Sequence, residues 1–152
     1  MRYAITRIRV HTILPVIDFL PLIDNQISEF ILQSLHERLC ALKCDPYSIK
    51  ILPDHVHIVH ELNPKIALCD VVQNIKGGSS HFVHQQESFT RRFAWNNGSI
   101  CFSLSSSDEC NRVISTLSKQ EEYHTNTSIN NEIIELRRTY PELLTMILKC
   151  NT

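Results

Sequence analysis

Glycine is scarce: three residues in 152. So few flexible joints leave no linker that would split the chain, and residues 1–152 read as a single domain. No run of 18 apolar residues occurs, which excludes a membrane-spanning helix. The opening MRYAITRIRVH alternates apolar and polar residues and lacks the charged, apolar, then small-residue order of a signal peptide, so the expected location is the cytoplasm. No CxxC pair and no regular framework is present among the six cysteines, so free thiols are expected. Cys40 and Cys44 stand one helical turn apart, which allows a metal clip or, more plainly, ordinary helix packing. Excess charge of either sign is absent too. A net charge of -1 is not the balance of a protein that coats nucleic acid, so a nucleic-acid role would need a local patch.

What the chain does have is 43% hydrophobic residues, enough for a packed core. Residues 3–14 alternate, with Ala4, Ile8, Val10 and Leu14 on one face and Arg7, Arg9 and His11 on the other, as in a half-buried strand. Ile27, Phe30, Ile31, Leu35, Leu39 and Leu42 then recur at helical spacing over 25–43, with Asp24 as a cap. YSIKIL and HVHIVHEL flank Pro53-Asp54 and predict two strands joined by a tight turn. Leu68, Val71, Val72 and Ile75 form a helical stripe that Gly77-Gly78 interrupts. An Asn-Gly turn precedes a strand with Ile100, Phe102 and Leu104 on one face. Ser106 to Glu109 has the S-x-x-E pattern of a capping box and opens a helix over about 107–124. A last helix covers about 129–149, bent near Pro141. The order predicts an α+β fold, a ferredoxin-like or RRM-like split βαβ sandwich with extra C-terminal helices. One sheet face takes the first two helices, and the other is left for a ligand or further helices.

Histidines 55 and 57 are two apart on a predicted strand, so they share a face while Val56 and Ile58 point to the core. Two neutral imidazoles so placed can hold one divalent ion with a third ligand from elsewhere, or they are simply surface histidines. His60 falls on the core face and reads as a hydrogen-bonded core histidine. His81 and His84 read as a polar helix face that could also meet phosphate.

Four blocks then come in one order. They are LPDHVHIVHEL, VVQNIKGGSSHFV, FAWNNGSICFSLSSSDE and VISTLSKQEEYH. In sequence and spacing the chain resembles the HUH single-strand DNA transposases with one catalytic tyrosine, the small tyrosine transposases of insertion sequences. The resemblance covers nearly the whole chain. It implies a divalent metal, magnesium or manganese, held by His55, His57 and Gln120. It also implies a homodimer that acts on single-stranded or hairpin DNA, cleaving and rejoining strands through a phosphotyrosine link. A metal on a non-bridging phosphate oxygen would offset charge in the transition state. A phenol, with a pKa of about 10, leaves well enough for rejoining.

The chain departs from this pattern at one decisive position. Thr116 stands where the family has its tyrosine, four residues before Gln120. Threonine lacks an acidic phenol, and its alkoxide is a poor leaving group. Tyr123 follows Gln120 by three residues and Thr116 by seven, so all three are expected on one helical stripe, with Tyr123 about 10 Å along the axis from Thr116. It is the candidate displaced nucleophile, and water would be another. Ser99 also replaces an aromatic frequent after the loop glycine. The implied activity is therefore a metal-dependent DNA strand transferase that is catalytically impaired. The alternative is a non-catalytic nucleic-acid-binding or regulatory derivative. An RRM-like RNA binder is disfavoured, because the strands lack the paired aromatics that stack bases. Candidate DNA contacts are Lys76, Ser79, Ser80, Arg91, Arg92, Arg7 and Arg9, with Trp95 either stacking on a base or packing inside.

Overall fold

The computed structural model describes residues 5–86, 93–120, 122 and 129–139. Strand β1 (Arg9–Pro15) leads through a short 3-10 turn, Ile17–Phe19, to helix α1 (Asn25–Ala41). Strands β2 (Pro46–Ile51) and β3 (His55–Glu61) form a hairpin, and helix α2 (Leu68–His84) leads to β4 (Ile100–Leu104). Helices α3 (Ser107–Leu117) and α4 (Ile129–Thr139) follow. The sheet order is β2-β3-β1-β4, with every neighbouring pair antiparallel. This is the α+β split βαβ arrangement that the element order predicts. No described helix is long and apolar enough to cross a membrane.

The first sheet face carries Leu14, Val56 and Ile58 into the main core, where Ile27, Ile31, Leu35 and Leu39 of α1 meet Val71, Ile75 and Val83 of α2. Leu35 and Leu39 are fully buried, so truncating either to alanine costs about 2–5 kcal/mol. The Asp24 carboxylate caps α1, accepting from the backbone N–H groups of Gln26 and Ile27 at 3.0 Å. At the other end Lys43 adopts φ 57°, and the Cys44 N–H closes the helix on Leu39 O at 2.9 Å.

The second face is covered by the late helices, in two separate patches. Under α3, Val59 and Leu104 pack with Cys110 and Leu117. Ile129 of α4 packs on Ile13 and Ile100. These two patches occupy the sheet face that the element order leaves for a ligand or further helices.

Several boundaries differ from the sequence expectation. β1 starts at Arg9 rather than near residue 3, because its partner strand β3 ends at Glu61, directly opposite Arg9. Ile8 is accordingly 38% exposed. α2 runs unbroken through Gly77-Gly78. Gly78 serves contact between helices instead: a Cβ there would lie 1.7 Å from Arg38 Cζ of α1. The helix expected over 107–124 ends at Leu117, with Ser118 and Lys119 in a turn and Gln120 helical again. Its start follows the capping pattern, with Ser106 Oγ accepting from the Glu109 N–H at 3.1 Å. Glu109 turns back to the Ser105 N–H and hydroxyl, at 2.6 and 2.7 Å, rather than to Ser106.

Candidate metal centre

The hairpin turn at Pro53-Asp54 delivers His55 as the first residue of β3, and the strand period puts His57 on the same second face. Both side chains are fully buried. Their Nε2 atoms lie 3.0 Å apart, with ring centroids 4.8 Å apart. Behind His55, Asp54 Oδ1 sits 2.6 Å from Nδ1. A carboxylate only accepts, so the His55 proton resides on Nδ1 and its Nε2 presents a lone pair to the site.

Behind His57 the partner is His11 of β1, whose Nε2 lies 3.0 Å from His57 Nδ1, the two rings stacked at 26°. Burial is the larger cause lowering the His11 pKa to about 4, with the charge of His60 adding to it. His11 is thus neutral at neutral pH and can either donate to His57 Nδ1 or accept from it. In the metal-free chain a self-consistent proton chain runs from His11 through His57 and His55 to Asp54. Accepting instead from His57 Nδ1–H, His11 leaves both Nε2 lone pairs free for a cation.

The late helices complete the site from above. Glu132 of α4 stands one turn beyond Ile129, the residue that seats α4 on Ile13 and Ile100. Its Oε2 is 3.7 Å from His55 Nε2 and its Oε1 is 3.7 Å from His57 Nε2. Ligand atoms of His55, His57 and Glu132 all lie within 4.8 Å of one another. The turn at Ser118-Lys119 rotates Gln120 inward, leaving it 5% exposed, and its Nε2 faces Glu132 Oε1 at 3.4 Å. Gln120 Oε1 is buried with no hydrogen-bond partner among the described residues. An unsatisfied buried carbonyl costs about 1–3 kcal/mol. Coordination to a cation would remove that cost. Two imidazoles and a carboxylate within 4.8 Å of one another, with the Gln120 amide against that carboxylate, make a donor set that suits a divalent metal.

Residues 4–120 match the sequence family described as Transposase IS200 like. The chain belongs to that family. Two solved structures share the family's fold with this chain. One is a candidate transposase from Deinococcus radiodurans R1, at TM-score 0.60 and 15% identity, covering 79% of this chain and 95% of that one. The other is the REP-associated tyrosine transposase bound to a REP hairpin, at TM-score 0.63 and 10% identity, covering 82% of this chain and 72% of that one. No curated protein sequence matches the chain.

Within this IS200-like transposase the remaining sequence candidates fall in different places. Thr116 is exposed, and its hydroxyl donates to Arg112 O at 2.9 Å within its own helix. The turn after Leu117 is why Thr116 and Gln120 do not share a stripe. Tyr123, Arg91 and Arg92 lie outside the described residues.

Lys76 does not reach outward. Its Nζ donates to the carbonyls of Asn96, Asn97 and Gly98 at 2.6, 3.1 and 3.3 Å, and burial pushes its pKa down. It therefore anchors the tryptophan loop. Trp95 is 8% exposed, packs edge-on against Phe93 and donates its Nε1–H to Ser79 Oγ at 3.0 Å. Of the two readings of Trp95, the geometry is that of packing. Ser79 is fully buried, its hydroxyl donating to Ile75 O at 2.6 Å, whereas Ser80 is half-buried. Neither the Ser79 hydroxyl nor the Trp95 ring is presented to a strand of DNA. Arg7 is exposed, and Arg9 donates to Ser107 Oγ at 3.1 Å and lies 6.0 Å from the Tyr47 ring centroid.

His60 is fully buried. Its Nδ1 donates to Glu61 O at 2.8 Å and its Nε2 accepts from the Thr12 hydroxyl at 3.0 Å. It is a core histidine, as its position on the Val56 face predicts. His84 Nε2 donates to Phe93 O at 2.7 Å, while His81 is exposed. Cys40 is exposed and Cys44 buried, because α1 ends between them, so they form no clip.

Three residues of the site escape sequence reasoning. Asp54 had a signal, since it directly precedes His55 in the turn. His11 reads as part of a polar strand face, and only the pairing of β1 with β3 brings it to His57. Glu132 carries no spacing signal, being one acidic residue on an amphipathic helix.

Proposed function

We propose that this chain binds folded single-stranded DNA with a phosphate at the histidine centre, His55, His57 and Gln120 holding magnesium or manganese there. Two buried imidazoles with their Nε2 atoms 3.0 Å apart, and a buried Gln120 carbonyl without a hydrogen-bond partner among the described residues, carry this reading. Membership of the IS200-like family and likeness to a fold solved with a hairpin support the ligand class. The metal would supply charge neutralisation on a non-bridging phosphate oxygen. Asp54 and His11 orient the two imidazoles, the β3 strand keeps them in line, and burial excludes water from the pair. Exposed Arg7 lends the sheet end positive charge for backbone contact, with Arg91 and Arg92 as further contacts. The chain works as a homodimer in the cytoplasm.

Strand cleavage and rejoining through a phosphotyrosine would fall to Tyr123, because Thr116 has no acidic hydroxyl and faces outward. The same outward placement favours a second reading, a derivative that binds hairpins without cleaving them. One experiment separates the two. Labelled hairpin DNA is incubated with the protein and manganese, and covalent adduct is scored. An adduct lost in Tyr123→Phe and kept in Thr116→Ala establishes the displaced nucleophile. Manganese-dependent binding without adduct establishes the binding derivative. Binding that ignores both manganese and His57→Ala would sink the central claim.

A further inference from the structure

The site contains one strong donor that neither histidine-pair nor glutamine chemistry requires. Glu132 spans the two imidazoles, one carboxylate oxygen 3.7 Å from each Nε2. Its place is held mechanically. Ile129, one turn earlier, is 2% exposed between Ile13 and Ile100, and Ile13 pairs directly with His57 across the β1–β3 ladder. The strand that positions the imidazole therefore also seats the helix that brings the carboxylate. Gln120 touches the same carboxylate from the other side at 3.4 Å.

From this arrangement we infer that Glu132 is a fourth protein ligand of the metal centre, carried by α4, and a competitor of the DNA phosphate for it. The inference rests on the reading of the histidine pair as a metal site. Its physical basis is donor chemistry and charge. A carboxylate oxygen and a phosphate oxygen are both hard, anionic donors that seek the same cation. His55, His57, Gln120 and Glu132 together would fill four of the six positions that magnesium or manganese takes, leaving two for a phosphate or water. The competition is one of charge: a dication facing Glu132 has a net charge of +1, and one facing glutamine has +2, so the carboxylate weakens the pull on a phosphate. Glu132 thus latches α4 over the imidazoles when metal is bound and lowers the hold on an arriving phosphate. Metal affinity and DNA affinity then respond to Glu132 in opposite directions.

The test compares wild type, Glu132→Gln, Glu132→Asp and His57→Ala in the full chain. Calorimetric titration with manganese alone should show affinity about tenfold or more weaker in Glu132→Gln, weakened also in Glu132→Asp, and none in His57→Ala. Amide exchange over residues 129–139 should slow on adding manganese to wild type and not to Glu132→Gln. At saturating manganese, Glu132→Gln should bind a labelled hairpin more tightly than wild type. The inference is overturned alone if Glu132→Gln keeps wild-type manganese affinity while His57→Ala abolishes it, or if its metal-saturated form binds the hairpin more weakly. If wild type itself shows no histidine-dependent manganese binding, the metal-centre reading falls and takes this inference with it. Matching metal-free thermal unfolding of wild type and Glu132→Gln rules out misfolding as the cause of any change.

Discussion

Asp54→Ala tests the contribution of the carboxylate that lies behind the His55 imidazole. The backbone around it is fixed independently of the side chain. Val16 N–H donates to Asp54 O at 2.8 Å, Ile23 N–H to Pro53 O at 2.9 Å, and Leu52 N–H to His55 O at 2.9 Å. Truncation should therefore leave the turn in place and remove the 2.6 Å bond to His55 Nδ1. A hydrogen bond to a charged group contributes about 1.5–3 kcal/mol. At 1.4 kcal/mol per decade that is roughly a 10- to 100-fold loss of metal affinity. The Asp54 side chain keeps 25% exposure, so solvent screening places the expectation at the lower end, near tenfold. Manganese titration by calorimetry near neutral pH measures it, with His57→Ala as the abolished control. An Asp54→Ala protein within about twofold of wild type, with His57→Ala inactive in binding, would refute the argument that Asp54 sets the His55 tautomer and its basicity.

Two further outcomes concern stability of the metal-free chain. Burial holds His60 and His11 below the ordinary histidine pKa, His11 at about 4. The unfolded chain takes up those protons first, so stability is full above about 6.5 and is lost as pH falls toward about 4. Thermal unfolding from pH 7 to 5 should show this slope. An undiminished slope in a His60→Gln, His11→Gln double variant would refute the assignment. Gly77 lies in the middle of α2, and a Cβ there meets nothing within 4 Å. Gly77→Ala should stabilise by about 0.5–1 kcal/mol in urea unfolding, and a loss of stability would show that the helix needs a glycine there for another reason.

Much of this protein is legible in the order of its residues because its signals are local. Alternation in HVHIVHEL places His55 and His57 on one face and His60 on the other, and the pairing registers agree residue by residue. The Asp24 and Ser106 caps act within three residues, so they show in sequence and in structure alike. Gly77-Gly78 misleads because the constraint on Gly78 comes from Arg38 on another helix. Lys76 misleads in the same way. A cation beside a glycine pair suits DNA, but here it sits on α2 and donates to carbonyls of the loop that folds onto that helix.

By itself the sequence determined the split βαβ order and the face of the histidine pair, since each depends on a period or motif read along the chain. Only the tertiary structure brought His11 behind His57 and Glu132 in front of it, and turned Thr116 outward while Gln120 turned in. Those placements come from strand register, from the short turn after Leu117, and from Ile129 seating α4 on the sheet. They are contacts between distant segments, set by packing against a surface that exists only once the sheet has formed.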